Sequence, residues 1–426
     1  MKPFALLFAL LPTCLPALTW EAAMKEAAGA NLDLRSAAAD VEAARASKGQ
    51  SRSAFLPRLD ASGRAGRSGS QAVSGGESAL PPGDSDKESS SYSLGLDASW
   101  RLFNGFADWK SLEESGYTLL QRQGALDSAR AEARRSLRTA FLHLLYAQGV
   151  LAVNQDILER RAQSSLYQKL KFESGRQARW TWKKALADEA DARWRSDQAA
   201  GDLEVAQAEL ALALGRPSSE GLSAEGTLAP AEPPALDLGR LKLHPSARRL
   251  RYQRLAAEAR LAREKAAYLP TLSANAGWSY SGRDQWPPEN RAWSAGLSAG
   301  FNLFNGGFTA YGVGAAEASL ASLKASEEET RRSLETAARR AWARALSSAR
   351  QVTVADAQLE AARERYETVS KLYQAGRAGF LDLEQAESGL TGYQQQGLAL
   401  RQSAGQARAD LESALGMGLG DTEEAR

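Results

Sequence analysis

The 426-residue chain has one cysteine, two histidines and three methionines, and these scarcities exclude several kinds of chemistry at once. The single cysteine, Cys14, lies inside the first apolar run, so a chain processed beyond it has no disulfide framework and no thiolate site. With only His143 and His244 left, a histidine metal centre or a nucleophile–base pair lacks members. Glycine is frequent, yet no G-x-x-x-x-G-K-[ST] phosphate cradle occurs. Neither a cofactor nor a catalytic role is expected. Net charge is only +2 with 24% of residues charged, and no polybasic segment stands out, which argues against a nucleic-acid partner. Beyond residue 17 no apolar run approaches the ~20 residues of a membrane-spanning helix. Any membrane crossing must then use strands, and those must close into a barrel, because lipid offers no partner to an unpaired backbone group.

What is present begins with a secretory pattern. Lys2, the apolar run Phe4 to Leu11, then Pro12, Pro16 and Ala17 have the form of a signal peptide over 1–17. A lipobox ending at Cys14 is a poor match, because Pro12-Thr13 precedes it.

Two stretches alternate without a slip. Tyr92, Leu94, Leu96, Ala98, Trp100 and Leu102 face one way in the segment Tyr92 to Phe103, against Ser93, Gly95, Asp97, Ser99 and Arg101. Trp293, Ala295, Leu297, Ala299, Phe301 and Leu303 do the same in Trp293 to Phe304. Period two with one greasy face predicts strands. Each is preceded by another: Leu59, Ala61 and Ala65 alternate after Leu56-Pro57, and Leu272, Ala274, Ala276, Trp278 and Tyr280 alternate after Leu269-Pro270. Residues from about Gln71 to Ser90, rich in Ser, Gly and Pro, read as an exposed loop. Aromatic residues near strand ends, Trp100, Trp278, Trp293, Tyr92 and Tyr280, suit interfacial girdles.

Helical patterns fill the rest. Asn31 is placed to cap a helix running to Phe55. From Ala107 to about Ser174 there is no proline, and Leu137, Leu144, Leu151 and Leu158 recur at seven-residue steps, predicting a coiled-coil-like helix of roughly 100 Å. Gly175 breaks it, and a second helix spans about Trp180 to Leu214, closed by Gly215 and Pro217. His244-Pro245 reads as a cap and first helical residue of a later helix, and His143 as a surface or packed residue of the long one. The charged runs Glu327 to Glu329 and Arg331-Arg332 read as solvated helix faces.

The pattern then repeats. Gly105, Gly175 and Gly215 recur as Gly306, Gly376 and Gly416, each 201 residues on, while the strand-to-strand segment differs by 12 residues between copies. The expected organisation is 1–17 signal, 18–215 first repeat, 216–243 linker, 244–416 second repeat and 417–426 tail. The fold class expected is an α+β membrane protein built on a duplicated helix-strand-strand-helix unit. Four strands suit a tilted span of ~9 to 11 residues but cannot close a barrel whose smallest members have eight. Chains must be pooled, and three would give a 12-stranded trimeric β-barrel continuing into a long α-helical barrel. The alternative is a non-channel coiled-coil scaffold of the cell envelope; the signal peptide and the two-faced strands favour the barrel.

The chain resembles the TolC-type outer-membrane efflux proteins in Leu18-Thr19-Trp20-Glu21-Ala22-Ala23, Leu56-Pro57-Arg58-Leu59, Leu269-Pro270-Thr271-Leu272 and Leu303-Phe304-Asn305-Gly306-Gly307. Tyr373-Gln374-Ala375-Gly376-Arg377, Asp382-Leu383 and Ala414-Leu415-Gly416 match as well. The resemblance implies a homotrimeric export duct through the outer membrane, extending across the periplasm and meeting outer-membrane lipid. Its partners would be a periplasmic adaptor protein and an inner-membrane transporter. It implies a gate at the elbows, with Asp382 at the narrowing position, Tyr373 and Arg377 holding the closed form, and Glu384 supplementing an acidic ring that Gln385 and Thr181 weaken. Asp382 is also placed to cap the last helix. Gly175, Gly376, Trp180 and Trp182 mark the elbows; the two tryptophans fit either internal packing or adaptor contact.

Overall fold

A computed structural model describes residues 17–70, 87–228 and 232–420. The signal segment with Cys14, most of the loop over 71–90 and the last residues of the tail lie outside the described residues. In chain order the elements are α1 (Trp20–Ala30), α2 (Leu32–Ser53), β1 (Arg58–Ser70), β2 (Lys87–Asn104), α3 (Ala107–Glu173) and α4 (Arg179–Leu214), then α5 (Pro245–Lys265), β3 (Thr271–Arg283), β4 (Asn290–Gly300), α6 (Phe308–Gln374) and α7 (Phe380–Ala414). Short 3-10 turns flank α5. Helices α3 and α6 start at 107 and 308 and end at 173 and 374, a spacing of 201 at both ends.

The chain forms two compact units. One comprises Asp40–Gln123 and Arg249–Glu327, and holds the sheet. Its strands run in the order β1-β2-β3-β4, all antiparallel. Paired residues share a face, so Ala61↔Leu96, Leu96↔Trp278 and Trp278↔Trp293 place the apolar residues of all four strands on one side. Asp60↔Asp97, Asp97↔Gly277 and Gly277↔Ser294 place the polar ones on the other. The alternation read from sequence is therefore a property of the whole sheet. Nothing among the described residues covers the apolar face: Leu59, Leu94, Leu96, Trp100, Trp278 and Leu297 are exposed, and Trp293 is 81% exposed.

The fourth strand is shorter than its pattern. Alternation predicts it as far as Phe304, but the ladder stops at Thr271↔Gly300, where β3 begins. Phe301 to Phe304 have no strand beside them among the described residues, whereas the matching end of β2 continues to Asn104 because β3 pairs with it across an irregularity at Arg101/Phe103. Pro57 and Pro270 end the preceding helical segments, as the loss of an N–H requires.

The other unit is helical, and its largest core joins α1, α3 and α4. Ala23, Ala27, Leu137, Leu144, Ala206, Leu210 and Leu214 are buried there, with Trp20 edge-on to Phe141 at 5.7 Å. Inside it, Arg134 meets Glu412 at 3.0 Å with both side chains almost fully buried. Residues 216–228 join this core instead of running free, since Leu18 bridges to Ala224. The predicted leucine seam holds only in part. Leu137 and Leu144 are fully buried, but Leu151 and Leu158 are half-buried, and the inward positions become Ile157, Asn154 and Gln168. A 3.6-residue turn drifts against a seven-residue repeat, which carries the buried face off the leucines.

Two joints show why the copies stack alike. Asn31 Oδ1 accepts from the N–H groups of Asp33 (2.9 Å) and Leu34 (3.1 Å), capping α2, while its Nδ2 donates to Ala213 O at the end of α4 (3.5 Å). In the second copy His244 Nδ1 accepts from Ser246 N–H (3.2 Å), and the ring also bonds the Ser413 backbone in α7. Burial holds the His244 pKa below its ordinary value, consistent with a neutral cap. Against this ring sits Gly416 in the left-handed region (φ +74), where an added Cβ would lie 2.7 Å from Pro245 Cδ and 2.8 Å from His244 Cδ2. Gly175 has a similar φ of +68 but open space around it. Both alanine variants incur the left-handed penalty of about 1 kcal/mol, and Gly416→Ala should lose roughly 1–3 kcal/mol more from overpacking. Comparing the heat stability of the two variants measures the difference; equal losses would show that the joint is loosely packed.

Candidate functional site

The region around the two elbows is built by a repeated backbone device. After α3, Gly175 (φ +68) donates its N–H to Phe172 O at 2.9 Å and Arg176 donates to Lys171 O at 2.8 Å. After α6, Gly376 (φ +73) donates to Tyr373 O at 3.1 Å and Arg377 to Leu372 O at 2.8 Å. These paired bonds satisfy the last carbonyls of each long helix and reverse the chain. Both elbow glycines therefore sit where the sequence placed them.

Side chains then tie the elbows together. Gln168 Nε2, fully buried on α3, donates to the Tyr373 hydroxyl on α6 at 2.8 Å, and Tyr167 stands edge-on to Tyr373 at 6.0 Å. The Lys171 ammonium lies 4.6 Å from the Tyr167 ring and 4.2 Å from the Tyr373 ring. Between α4 and α7, Lys184 Nζ donates to Glu384 at 2.6 Å and to Asp188 at 2.8 Å, and these two hydrogen bonds raise its pKa. Arg161 on α3 reaches Glu387 of α7 at 3.3 Å and Asp188 of α4 at 3.5 Å. Burial raises the pKa of Glu387, with Arg161 and Arg160 opposing the shift. A cavity of about 290 Å³ lies here, lined by Arg160, Tyr167, Tyr366, Tyr373, Leu383 and Glu387.

The sequence-named residues divide. Tyr373 is buried and bonded across helices. Glu384 is engaged by Lys184, so its charge is largely answered. Asp382 is exposed, and its Oδ2 accepts from the Gly379 N–H at 2.9 Å, the geometry of a residue closing the first turn of α7. Its counterpart Thr181 is buried and donates to Ala178 O at 2.7 Å. The exposed Arg377 side chain makes no hydrogen bond or ion pair within the described residues. Trp182 stacks on Phe172 at 5.6 Å with a 17° tilt, which is packing, whereas Trp180 touches Phe380 edge-on at 6.4 Å and remains 56% exposed. His143 pairs with Glu209 at 2.6 Å on the helix surface. No His, Cys, Asp and Glu grouping able to hold a metal occurs among the described residues.

Sequence reading missed Gln168, Arg161 and Glu387. A signal existed: Asn154, Arg161 and Gln168 recur at seven-residue steps on α3, and Glu387 falls between Leu383 and Leu390 on α7. Polar groups in a seam that would otherwise be apolar mark partners across the interface.

The family model described as outer membrane efflux protein matches residues 23–216 and 241–417. No curated protein sequence matches the chain. Among solved structures, the Campylobacter jejuni CmeC outer membrane channel is similar at 15% identity and a TM-score of 0.79, over 94% of this chain and 86% of that one. The open-state Neisseria gonorrhoeae MtrE outer membrane channel is similar at 23% identity and 0.79, over 94% and 89%. The Vibrio cholerae outer membrane protein VceC is similar at 18% identity and 0.76, over 93% and 96%.

The buried Glu387 gives a pH signature. Its folded pKa lies above the usual 4.5, so the stability that the protonated form lends is present below 4.5 and is lost as pH rises through the folded value. Glu387→Gln should flatten the stability–pH curve above about 4.5. Thermal unfolding followed from pH 4 to 8 checks this, and an unchanged slope would mean that Arg161 fully compensates the carboxylate.

Proposed function

The chain belongs to the outer membrane efflux protein family, and from that premise we propose that three copies form an export duct. It is an outer-membrane channel component reaching into the periplasm, not a catalyst. Three copies would pool their strands into a 12-stranded barrel and their long helices into an α-helical barrel. A periplasmic adaptor protein would dock at the helical end and link the duct to an inner-membrane transporter.

The observation that carries this reading is the sheet. It has four strands, one face that is apolar along most of its length and exposed, and no further strand beside β1 or β4 among the described residues. Burying each large apolar side chain is worth about 1.5–3 kcal/mol, so lipid on that face and a neighbouring copy at each edge resolve both liabilities. On α4, Trp194, Val205 and Leu212 are also exposed, which suits a helix of a neighbouring copy. No helix among the described residues is long and apolar enough to cross a membrane, so the strands are left as the spanning elements.

The elbows are the proposed gate. Tyr373 bonded to Gln168, and Glu384 held by Lys184, keep α6 and α7 against α3 and α4. Exposed Asp382 remains the acidic group able to face its copies at a constriction. Three carboxylates brought close would attract cations and repel anions. Gly175, Gly376 and the exposed Trp180 form the surface offered to the adaptor, with Trp182 supporting it from inside.

Planar-bilayer recording tests both levels. The wild-type protein should conduct, prefer small cations at rest and be blocked by polyvalent cations. Asp382→Ala should remove preference and block, with a helix-terminus loss of about 1 kcal/mol. Unchanged selectivity and block would leave Asp382 a cap alone, and a protein that never conducts would contradict the duct.

A further inference from the structure

One arginine on the lipid-facing side of the sheet has no carboxylate partner. On β4 the apolar face runs Trp293, Ala295, Leu297 and Ala299, and the next residue on that face toward the β3–β4 turn is Arg291. Trp293 to Ala299 is about 20 Å of strand at ~3.3 Å per residue, and Arg291 stands ~7 Å beyond Trp293. An arginine at the end of an apolar run can lay its stem along hydrocarbon and present its head to lipid headgroups.

Aromatic side chains lie beside that head. Arg291 is the ladder partner of Tyr280, and its guanidinium carbon lies 5.6 Å from the Tyr280 ring centroid. Tyr280 in turn meets Trp278 edge-on at 5.1 Å, and Trp278 pairs across the ladder with Trp293. The residue is exposed, so its planar donor fork is accessible from outside. Nearby carboxylates are already engaged: Glu88 pairs with Arg67, Asp284 accepts the Ser90 N–H, and Glu289 accepts from Gln285 at 2.7 Å. Arg291 itself has no hydrogen bond or ion pair within the described residues, and it is exposed.

We propose that Arg291, set on the shelf of Tyr280, Trp278 and Trp293, binds the phosphate of an outer-leaflet glycolipid. The guanidinium supplies paired N–H donors to phosphate oxygens, and the aromatic residues lie against the sugar and the first acyl carbons. This rests on the reading that the apolar face meets lipid. Each copy in the assembled duct would carry one such site, so lipid would bind around its outer rim.

The test uses the full-length assembled protein in detergent, mixed with diphosphorylated lipid A or with the same lipid stripped of phosphate, and native mass spectrometry to count retained lipid. Wild-type protein should retain the phosphorylated form at least tenfold better. Arg291→Gln should abolish that preference, and Arg291→Lys, which keeps the charge but not the planar fork, should keep only a minor part of it, with heat-stable assembly and conductance unchanged in both. An Arg291→Gln variant that keeps the preference overturns the site. So does displacement of the lipid by inorganic pyrophosphate at equal concentration, which would mark a plain anion site. Wild-type protein that conducts yet shows no preference overturns this site alone, whereas protein that neither inserts nor conducts overturns the duct reading with it.

Discussion

An unpaired strand edge is the constraint on which this molecule turns. β1 and β4 are the outer strands of a four-stranded sheet, and each presents a row of backbone donors and acceptors. In water such an edge is a hazard of aggregation; in lipid every unanswered group costs several kcal/mol. The face between those edges adds the second half of the constraint, because Trp293, Leu297, Trp278 and Leu59 stand uncovered on it. Within one chain, both the edges and this face are left unanswered among the described residues. In the proposed duct, assembly and membrane insertion would be coupled by the backbone as much as by the side chains.

The helices answer a different requirement, which is to keep two copies of one unit in step. A spacing of 201 residues is held at both ends of α3 and α6, while the strand-to-strand segments differ in length. At each stacking joint one polar side chain serves two helices, Asn31 in the first copy and His244 in the second. The copies diverge at the two elbows. Trp180, Thr181 and Trp182 of the first copy stand where the second has Leu381, Asp382 and Leu383. That divergence gives one elbow an aromatic surface and the other an acidic, exposed turn.

Much of this was legible in residue order because the signals are local. Proline at Pro57 and Pro270, left-handed glycine at Gly175, Gly215, Gly376 and Gly416, and strict alternation along the strands each act through their own backbone. What escaped depends on partners distant in sequence. The end of β4 at Gly300 is set by where β3 starts, not by the apolar residues that continue to Phe304. Leu151 and Leu158 fall out of the buried seam because the helix drifts against its own repeat. Arg134 with Glu412, and Arg161 with Glu387, become visible only when helices far apart in the chain are laid side by side. At the elbows, the helix-ending glycines were readable from residue order, whereas Tyr373 was named through the family resemblance and its partner Gln168 was not foreseen.

The central claim is that β1 of one copy completes the sheet against β4 of the next. In one chain these strands are separated by β2 and β3, about 14 Å at ~4.8 Å per strand, too far for a disulfide that needs Cα atoms roughly 4.4–6.8 Å apart. With Cys14 replaced by serine no native thiol is left, so a cysteine at Ser298 on β4, paired in turn with one at Asp60, Ser62 or Arg64 on β1, can link only between copies. Oxidation of the membrane-embedded protein should give a covalent ladder of two and three chains that stops at three for at least one pairing. A ladder that runs on past three, or no linkage at any of the three pairings, would contradict the closed ring.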